Sequence, residues 1–245
     1  MAKSFYGLIG YPILQSFSPG YFNEKFRREG IDAEYSTFPL ETIDAFPELL
    51  KANPGLCGMN VTIPYKTAVI PFLDALSDDV QEMGAVNCIL LKDGKRIGYN
   101  TDWVGFHDSL KPLLKSHHKQ ALILGSGGAA KAVAYALRKL GITYKVVTRG
   151  PADGPMLRYS SITPAVLQQY TLIINTTPLG MAPNEGRAPE LPYEALTDQH
   201  LLYDVIYNPA ETKFLQLGKA QGATIKNGID MLHLQAEGSW KIWNG

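Results

Sequence analysis

The sequence predicts an α/β protein of two domains with a cleft between them. Three observations carry that expectation. Strand-like and helix-like stretches alternate almost throughout the 245 residues, the pattern of sheets covered by helices. Asp93-Gly94 stands between AVNCILL and KRIGY, a dipeptide that joins neighbouring antiparallel strands, so the first part of the chain holds a mixed sheet. Beyond Asp102 a glycine-rich turn separates a strand-like ALIL from a helix-like run, which opens a βαβ unit. A chain of this length buries a sizeable core either as one large domain or as two modest ones.

The elements follow in order. FYGLIG is a short apolar strand. Ser18-Pro19 reads as a helix cap with Pro at the first helical position, opening a helix that ends near Gly30. EYSTFP is a second strand and TIDAFPELLKA a helix. CGMNVTIPYK, residues 57–66, is a third and buried strand, with Met59, Val61 and Ile63 alternating against Asn60 and Thr62. Pro64 halts it, and Lys66 follows. In the second half FHDSLKPLL is helical and SHHKQ a polar joint. ALIL, a helix through GSGGAAKAVAYALRKLG closed by Gly141, and YKVVT form the βαβ unit. LIIN, LLYDV and ATIK are further parallel strands. IDMLHLQAEGSWKIW is an amphipathic helix with Met231 and Gln235 one turn apart on one face.

Composition narrows the function. Twenty-three basic and twenty-three acidic residues cancel, so no global field draws nucleic acid or an anionic membrane. No apolar stretch approaches the roughly 18 residues of a membrane helix. The N-terminal run lacks a small-residue cleavage site, so a cytoplasmic location is expected. Cys57 and Cys88 form no CxxC and read as small buried apolar residues. The five His residues show no ligand spacing, and no bound metal is expected.

Gly125-Ser126-Gly127-Gly128-Ala129-Ala130 satisfies GxGxx(G/A) directly after a strand and at the start of a helix. Glycines let the backbone approach a pyrophosphate seated on the N–H groups of the helix end. The next strand ends in Thr148-Arg149 without an acid, which suits the 2′-phosphate of NADP, although a solvated Arg at a strand end reads the same way. Ser18 is open between a plain helix cap and a contact to an anion at the helix N-terminus. Lys66 is either the first solvated residue of a turn or an ammonium aimed at a ligand.

Four more stretches join the glycine loop: Ser16-Phe17-Ser18-Pro19, Asn60-Val61-Thr62-Ile63-Pro64-Tyr65-Lys66, Gly84-Ala85-Val86-Asn87 and Asn100-Thr101-Asp102. With Gly228 and Met231-Leu232 followed by Gln235, they resemble the shikimate dehydrogenase family over nearly the whole chain. The resemblance implies NADP-dependent interconversion of shikimate and 3-dehydroshikimate on the route to aromatic amino acids. It implies a substrate domain from residues 1–101 with 228–245 and a Rossmann-type cofactor domain from 102–227. Ser16 and Ser18 would hold the substrate carboxylate. Thr62, Asn87 and Gln235 would hold its hydroxyls, with Asn60 and Tyr207 close by. Lys66 and Asp102 would be the catalytic pair, the ammonium donating a proton as hydride reaches the ketone.

On the cofactor side the resemblance implies Gly125, Ser126, Gly127, Gly128, Ala129, Thr148 and Arg149. It adds Asn175, Thr176, Thr177 and Met181 from the loop Asn175-Thr176-Thr177-Pro178-Leu179-Gly180-Met181, then Val205 and Gly228. The chain departs from the family at Gln15 (usually His), Cys88 (usually Thr) and Trp103 (usually Gly). Gly150 stands where the family has Thr and opens a Gly/Pro loop to Gly154 that includes Asp153. Two rivals remain: a quinate/shikimate dehydrogenase using NAD, and a non-catalytic protein sensing shikimate or dinucleotide, which would not need Lys66 and Asp102. The expected partner is a small molecule, with no nucleic acid and no membrane, and the chain is a monomer or homodimer.

Overall fold

In the computed structural model of the protein, residues 3–13, 16–150 and 156–245 are described. The chain forms two compact units, Met1–Thr101 with Ala236–Gly245 and Asp102–Gln235. Gln15 and the Gly/Pro stretch after Gly150, Asp153 included, lie outside the described residues. No helix among the described residues is long and apolar enough to cross a membrane.

The first unit holds strands β1 (Ser4–Gly10), β2 (Ala33–Pro39), β3 (Leu56–Val61), β4 (Ala75–Leu76), β5 (Cys88–Lys92) and β6 (Lys95–Tyr99). Its helices are α1 (Phe17–Glu29), α2 (Phe46–Ala52) and α3 (Asp78–Met83). The sheet order is β2-β1-β3-β5-β6-β4. β1 pairs in parallel with β2 and β3, whereas β5 pairs antiparallel with β3 and β6. The expected hairpin is present: Lys92 faces Lys95, and Asp93 and Gly94 have φ of 53° and 73°. Both central residues are left-handed, as a tight hairpin following the strand twist requires.

Two expectations for this unit need correction. β3 ends at Val61, and Ile63 is 72% exposed rather than buried. Thr62 N–H makes the last bond to β1, at Ile9 O, and Tyr65 N–H then turns the chain back on Thr62 O. Residues 58–61 are all buried, because both faces of this inner strand are covered. The second correction concerns the helix cap. α1 starts at Phe17, and Ser16, with φ −123° and ψ 137°, is the capping residue. Ser18 lies inside the first turn and is buried.

The second unit holds β7 (Gln120–Leu124), β8 (Thr143–Thr148), β9 (Met156–Arg158), β10 (Leu172–Asn175), β11 (Leu201–Asp204) and β12 (Thr224–Lys226). Its helices are α4 (Asp102–Leu110), α5 (Gly128–Lys139), α6 (Pro164–Gln169) and α7 (Lys213–Ala220). The sheet runs β12-β11-β10-β7-β8-β9 and is parallel at every pairing. β9, α6 and α7 are additions to the elements expected from the sequence. The two helices open on Thr163 and Thr212, whose hydroxyls accept from Val166 N–H and Leu215 N–H, the usual Thr cap.

Helix α8 (Ile229–Asn244) runs from the second unit into the first. Its return to the first unit, expected at residue 228, falls at Ala236. Met231 belongs to the core of the second unit with Phe106, Leu110 and Tyr203, so the first two turns stay there. Beyond Ala236 the helix docks on the first sheet. Trp243 stacks on Tyr6 at 4.8 Å, and its Nε1–H donates to Ile89 O at 3.0 Å. A Cβ on Gly58 would lie 2.3 Å from the Trp243 ring; only glycine leaves that ring room. Lys25 of α1, largely buried, pairs with Glu237 at 3.0 Å.

SHHKQ is more than a polar joint. His118 is buried, accepts from Lys115 N–H on Nδ1 at 3.0 Å, and donates from Nε2 to Gln199 O at 3.3 Å. Burial and the neighbouring His117 hold its pKa below the ordinary 6.5. The neutral ring is therefore favoured in the folded state. Its contribution is complete above the unfolded pKa and lost as pH falls through that value toward the depressed one. The unfolding temperature should thus drop between about pH 7.5 and pH 5.5, and His118→Gln should flatten the drop by about 2–4 °C. Thermal melts across that range, monitored by circular dichroism, check this; equal slopes in the two proteins would remove His118 from the account.

Candidate active site

In the first unit, the polar motifs meet at the end of the β3-β5-β6 sheet. Asn87 is the hub. Its backbone carbonyl accepts from Val61 N–H at 2.8 Å and from Asn60 Nδ2 at 3.2 Å. Its backbone N–H donates to Tyr99 O at 3.1 Å. Its side-chain Oδ1 accepts from Thr101 N–H at 2.6 Å, and its Nδ2 donates to Thr101 Oγ1 at 3.0 Å. Ser239 of α8 closes the group, within 3.2 Å of Thr101 Oγ1 and accepting from Asn60 Nδ2 at 2.8 Å. Tyr35 OH donates to Asn60 Oδ1 at 2.8 Å. All of these residues except Tyr99 are buried, where an unpaired polar atom is costly.

Lys66 leaves from this hub. Its carbonyl accepts from Val86 N–H at 2.7 Å, which fastens the turn after β3 to the residue before Asn87. The side chain is half-buried, as is Thr62. Asn100 Nδ2 donates to Ala85 O at 2.9 Å, so the Gly84-Ala85-Val86-Asn87 and Asn100-Thr101-Asp102 stretches brace each other. Asp102, buried, begins α4 directly after Thr101. Ser16 and Ser18 sit at the start of α1, whose first turn carries no acid and whose cap makes no side-chain bond. Such an end favours an anion.

Asn60 is bound into the hub through its whole amide. Both amide hydrogens and the carbonyl are engaged inside the protein, and it is 5% exposed. It ties β3 to Asn87 and to Ser239 of α8. Tyr35 and Ser239 are members of the hub that sequence reasoning misses. Thr101 is in view within Asn100-Thr101-Asp102, whereas Ser239 is one small polar residue in a helix without other signal.

In the second unit, the chain reverses its strand order between β7 and β10, and such a switch point is where open α/β sheets bind ligands. Gly125 lies there with φ +106°. A Cβ on it would lie 2.9 Å from Thr176 Oγ1 and 3.1 Å from Thr177 Cγ2, while around Gly127 a Cβ would meet nothing within 4 Å. Ser126 and Gly127 are exposed, and α5 starts at Gly128 with no acid in its first turn. A tight turn, open space and bare N–H groups at the start of a helix fit a pyrophosphate. Thr148 Oγ1 accepts from Gly150 N–H at 3.1 Å. Arg149 is exposed, and its charge is felt at Tyr159.

Asn175 organises the loop that follows β10. It is fully buried; Nδ2 donates to Leu179 O and to Asp204 Oδ1, and Oδ1 accepts from Thr177 N–H and Thr177 Oγ1. It shapes the 175–181 loop. Thr176 Oγ1 is tied to Leu124 O at 2.8 Å, and Met181 is exposed. Gly228 is a packing residue, since a Cβ there would lie 2.2 Å from Val205 O. Tyr207 is half-buried, and burial raises its pKa.

Comparison with known proteins extends these observations. The profile of the shikimate dehydrogenase substrate binding domain matches residues 8–89. A shikimate dehydrogenase (NADP(+)) of Carboxydothermus hydrogenoformans is 40% identical, over 98% of this chain and 91% of its own length. The crystal structure of shikimate dehydrogenase from Aquifex aeolicus superposes with a TM-score of 0.88 at 34% identity, covering 99% of this chain and 93% of that one. Shikimate 5-dehydrogenase from Thermus thermophilus, solved in complex with NADP(H) and shikimate, gives 0.87 at 31% identity, covering 99% and 94%.

Removing one hydroxyl from the hub tests how tightly it is coupled. Ser239→Ala leaves an Asn60 amide hydrogen buried without its acceptor, which should cost about 1–3 kcal/mol. Urea unfolding followed by tryptophan fluorescence, with Trp240 and Trp243 on the same helix, checks it; an unchanged midpoint would show that Ser239 is dispensable.

Proposed function

The chain belongs to the shikimate dehydrogenase family, and we propose that it interconverts 3-dehydroshikimate and shikimate with NADP. The observation that supports this best is the joining, in the first unit, of the Lys66 turn, Asn87 and Thr101 into one hydrogen-bonded group. A small ring with one carboxylate and three hydroxyls calls for neutral donors and acceptors beside a single proton donor, and that is the set present. Full-length identity to NADP(+) shikimate dehydrogenases supports the same reading.

Bound NADPH supplies the hydride. Reduction leaves negative charge on the ketone oxygen, and Lys66 donates the proton that neutralises it. Asp102 is the partner that orients the ammonium. Thr62, Asn87 and Gln235 bind the ring hydroxyls, with Tyr207 near them. Ser16 and Ser18 receive the carboxylate at the open start of α1, where the helix dipole favours a negative charge. In the reverse direction the pair takes up the proton. Ser126, Gly127, Gly128 and Ala129 present backbone N–H groups to the pyrophosphate, and Arg149 takes the 2′-phosphate. A cytoplasmic location and a monomeric or homodimeric state belong to the same proposal.

Lys66→Ala should lower kcat by roughly 10²–10⁴ with little change in KM for shikimate, as expected of a proton-transfer group. Steady-state assays of shikimate oxidation measure both constants, and a variant that kept most of its turnover would reject the assignment. Arg149→Ala should raise KM for NADP by about ten- to a hundred-fold and leave NAD nearly untouched, because only NADP carries the phosphate. Wild-type protein turning over faster with NAD than with NADP at equal concentration would overturn the cofactor assignment.

A further inference from the structure

β11 reads Leu201-Leu202-Tyr203-Asp204 and is buried at every position. A carboxylate at the end of an apolar strand is costly to bury without a partner, and nothing in the function above uses it. Asp204 is fully buried. Its Oδ2 accepts from Thr212 Oγ1 at 2.6 Å, and its Oδ1 accepts from Ile206 N–H at 3.0 Å and Asn175 Nδ2 at 3.1 Å. From Asn175 the chain of bonds continues to Thr177 N–H at 3.0 Å and Thr177 Oγ1 at 2.7 Å. Thr176 and Thr177 in turn stand against Gly125, at 2.9 and 3.1 Å from the position of a Cβ there. One continuous line of contacts therefore leads from Thr212 to the glycine turn, with Asp204 as the sole carboxylate in it.

We propose that Asp204 is a positioning residue of the dinucleotide site, its carboxylate fixing Asn175 and through it the Thr176-Thr177 wall behind Gly125. The inference rests on the reading of Gly125–Ala129 as the pyrophosphate seat. An ionised carboxylate accepts on both oxygens and holds the Asn175 amide in one orientation, which a neutral group does less strongly. Burial pushes the Asp204 pKa up to about 6, against the pull of its three donors. The titratable groups whose charge couples to it are Tyr193 and Tyr203, phenols that burial keeps neutral. α7 meets it through the Thr212 hydroxyl, and β10 through the Asn175 amide. As pH falls through this range the carboxylate takes up a proton and the wall loosens.

The test is the dissociation constant for NADP measured by titration calorimetry without substrate, on wild-type protein and on Asp204→Asn, at about pH 7.5 and pH 5. The variant should bind about tenfold more weakly at the higher pH, the loss of one hydrogen bond to a charged group. At the lower pH the ratio of the two constants should approach one, because wild-type Asp204 is then protonated. Using the ratio cancels the titration of the 2′-phosphate itself. Thr212→Val removes one donor and should move binding in the same direction, with Thr212→Ser restoring it; this pair stands in if Asp204→Asn does not fold. Equal constants at the higher pH, or a ratio unchanged by pH, would overturn the role of Asp204. Failure of the wild-type protein to bind NADP at all would instead remove the cofactor reading beneath it.

Discussion

A polar group withdrawn from water must find its partners inside the protein, and in the first unit that constraint is concentrated at Asn87. Four of its atoms are bonded to residues of β3, of β6 and of the turn that follows β6. Several of those partners serve a second purpose. Val61 ends the strand that leads to Lys66, Asn60 carries Tyr35 and Ser239, and Thr101 stands immediately before Asp102. Moving any one of them leaves a buried donor or acceptor unmatched, so these residues hold a single arrangement. The geometry expected of the chemistry is in this way a by-product of satisfying the interior.

The second unit meets a different demand. A backbone that must come close to phosphate favours glycine at the turn, and Gly125, Gly127 and Gly128 have no side chain to stiffen it. The stiffness comes from behind. Leu124 O is bound twice by Thr176, through the backbone N–H and the hydroxyl, and Gly125 N–H donates to Val147 O. The glycine turn is therefore clamped between β8 on one side and the loop after β10 on the other, and its flexibility as a sequence is not a flexibility of the fold.

Much of this is legible in the sequence. Periodicity and glycine placement mark both sheets, the Asp93-Gly94 hairpin and the strand–turn–helix at Gly125. Where the reading fails, the failures share a cause. Ile63 looks buried when alternation is extended past the point where Thr62 makes the last bond to β1. Ser18 looks like a cap because Pro19 follows it, yet the chain is already helical at Phe17. Asn60 and Asn175 enter the candidate site only through the family resemblance, and the internal bonds that engage their amides have no signal in the sequence. Asp204, Ser239 and Tyr35 carry no local signal, since the partners that explain them are set by the fold rather than by their neighbours in the chain.

The passage of α8 from one unit to the other has a consequence for the order in which the protein can be made. The second unit is a single uninterrupted stretch that ends within the first turns of α8, so all of it precedes in the chain the residues that the first unit still needs. The first unit is split. Its sheet emerges from the ribosome early but lacks Ser239 and Trp243 until the final turns of the chain arrive, and until then Gly58 and Ile89 face an empty berth. The half of the molecule translated first is thus finished last, reversing the usual amino-to-carboxyl sequence of domain folding.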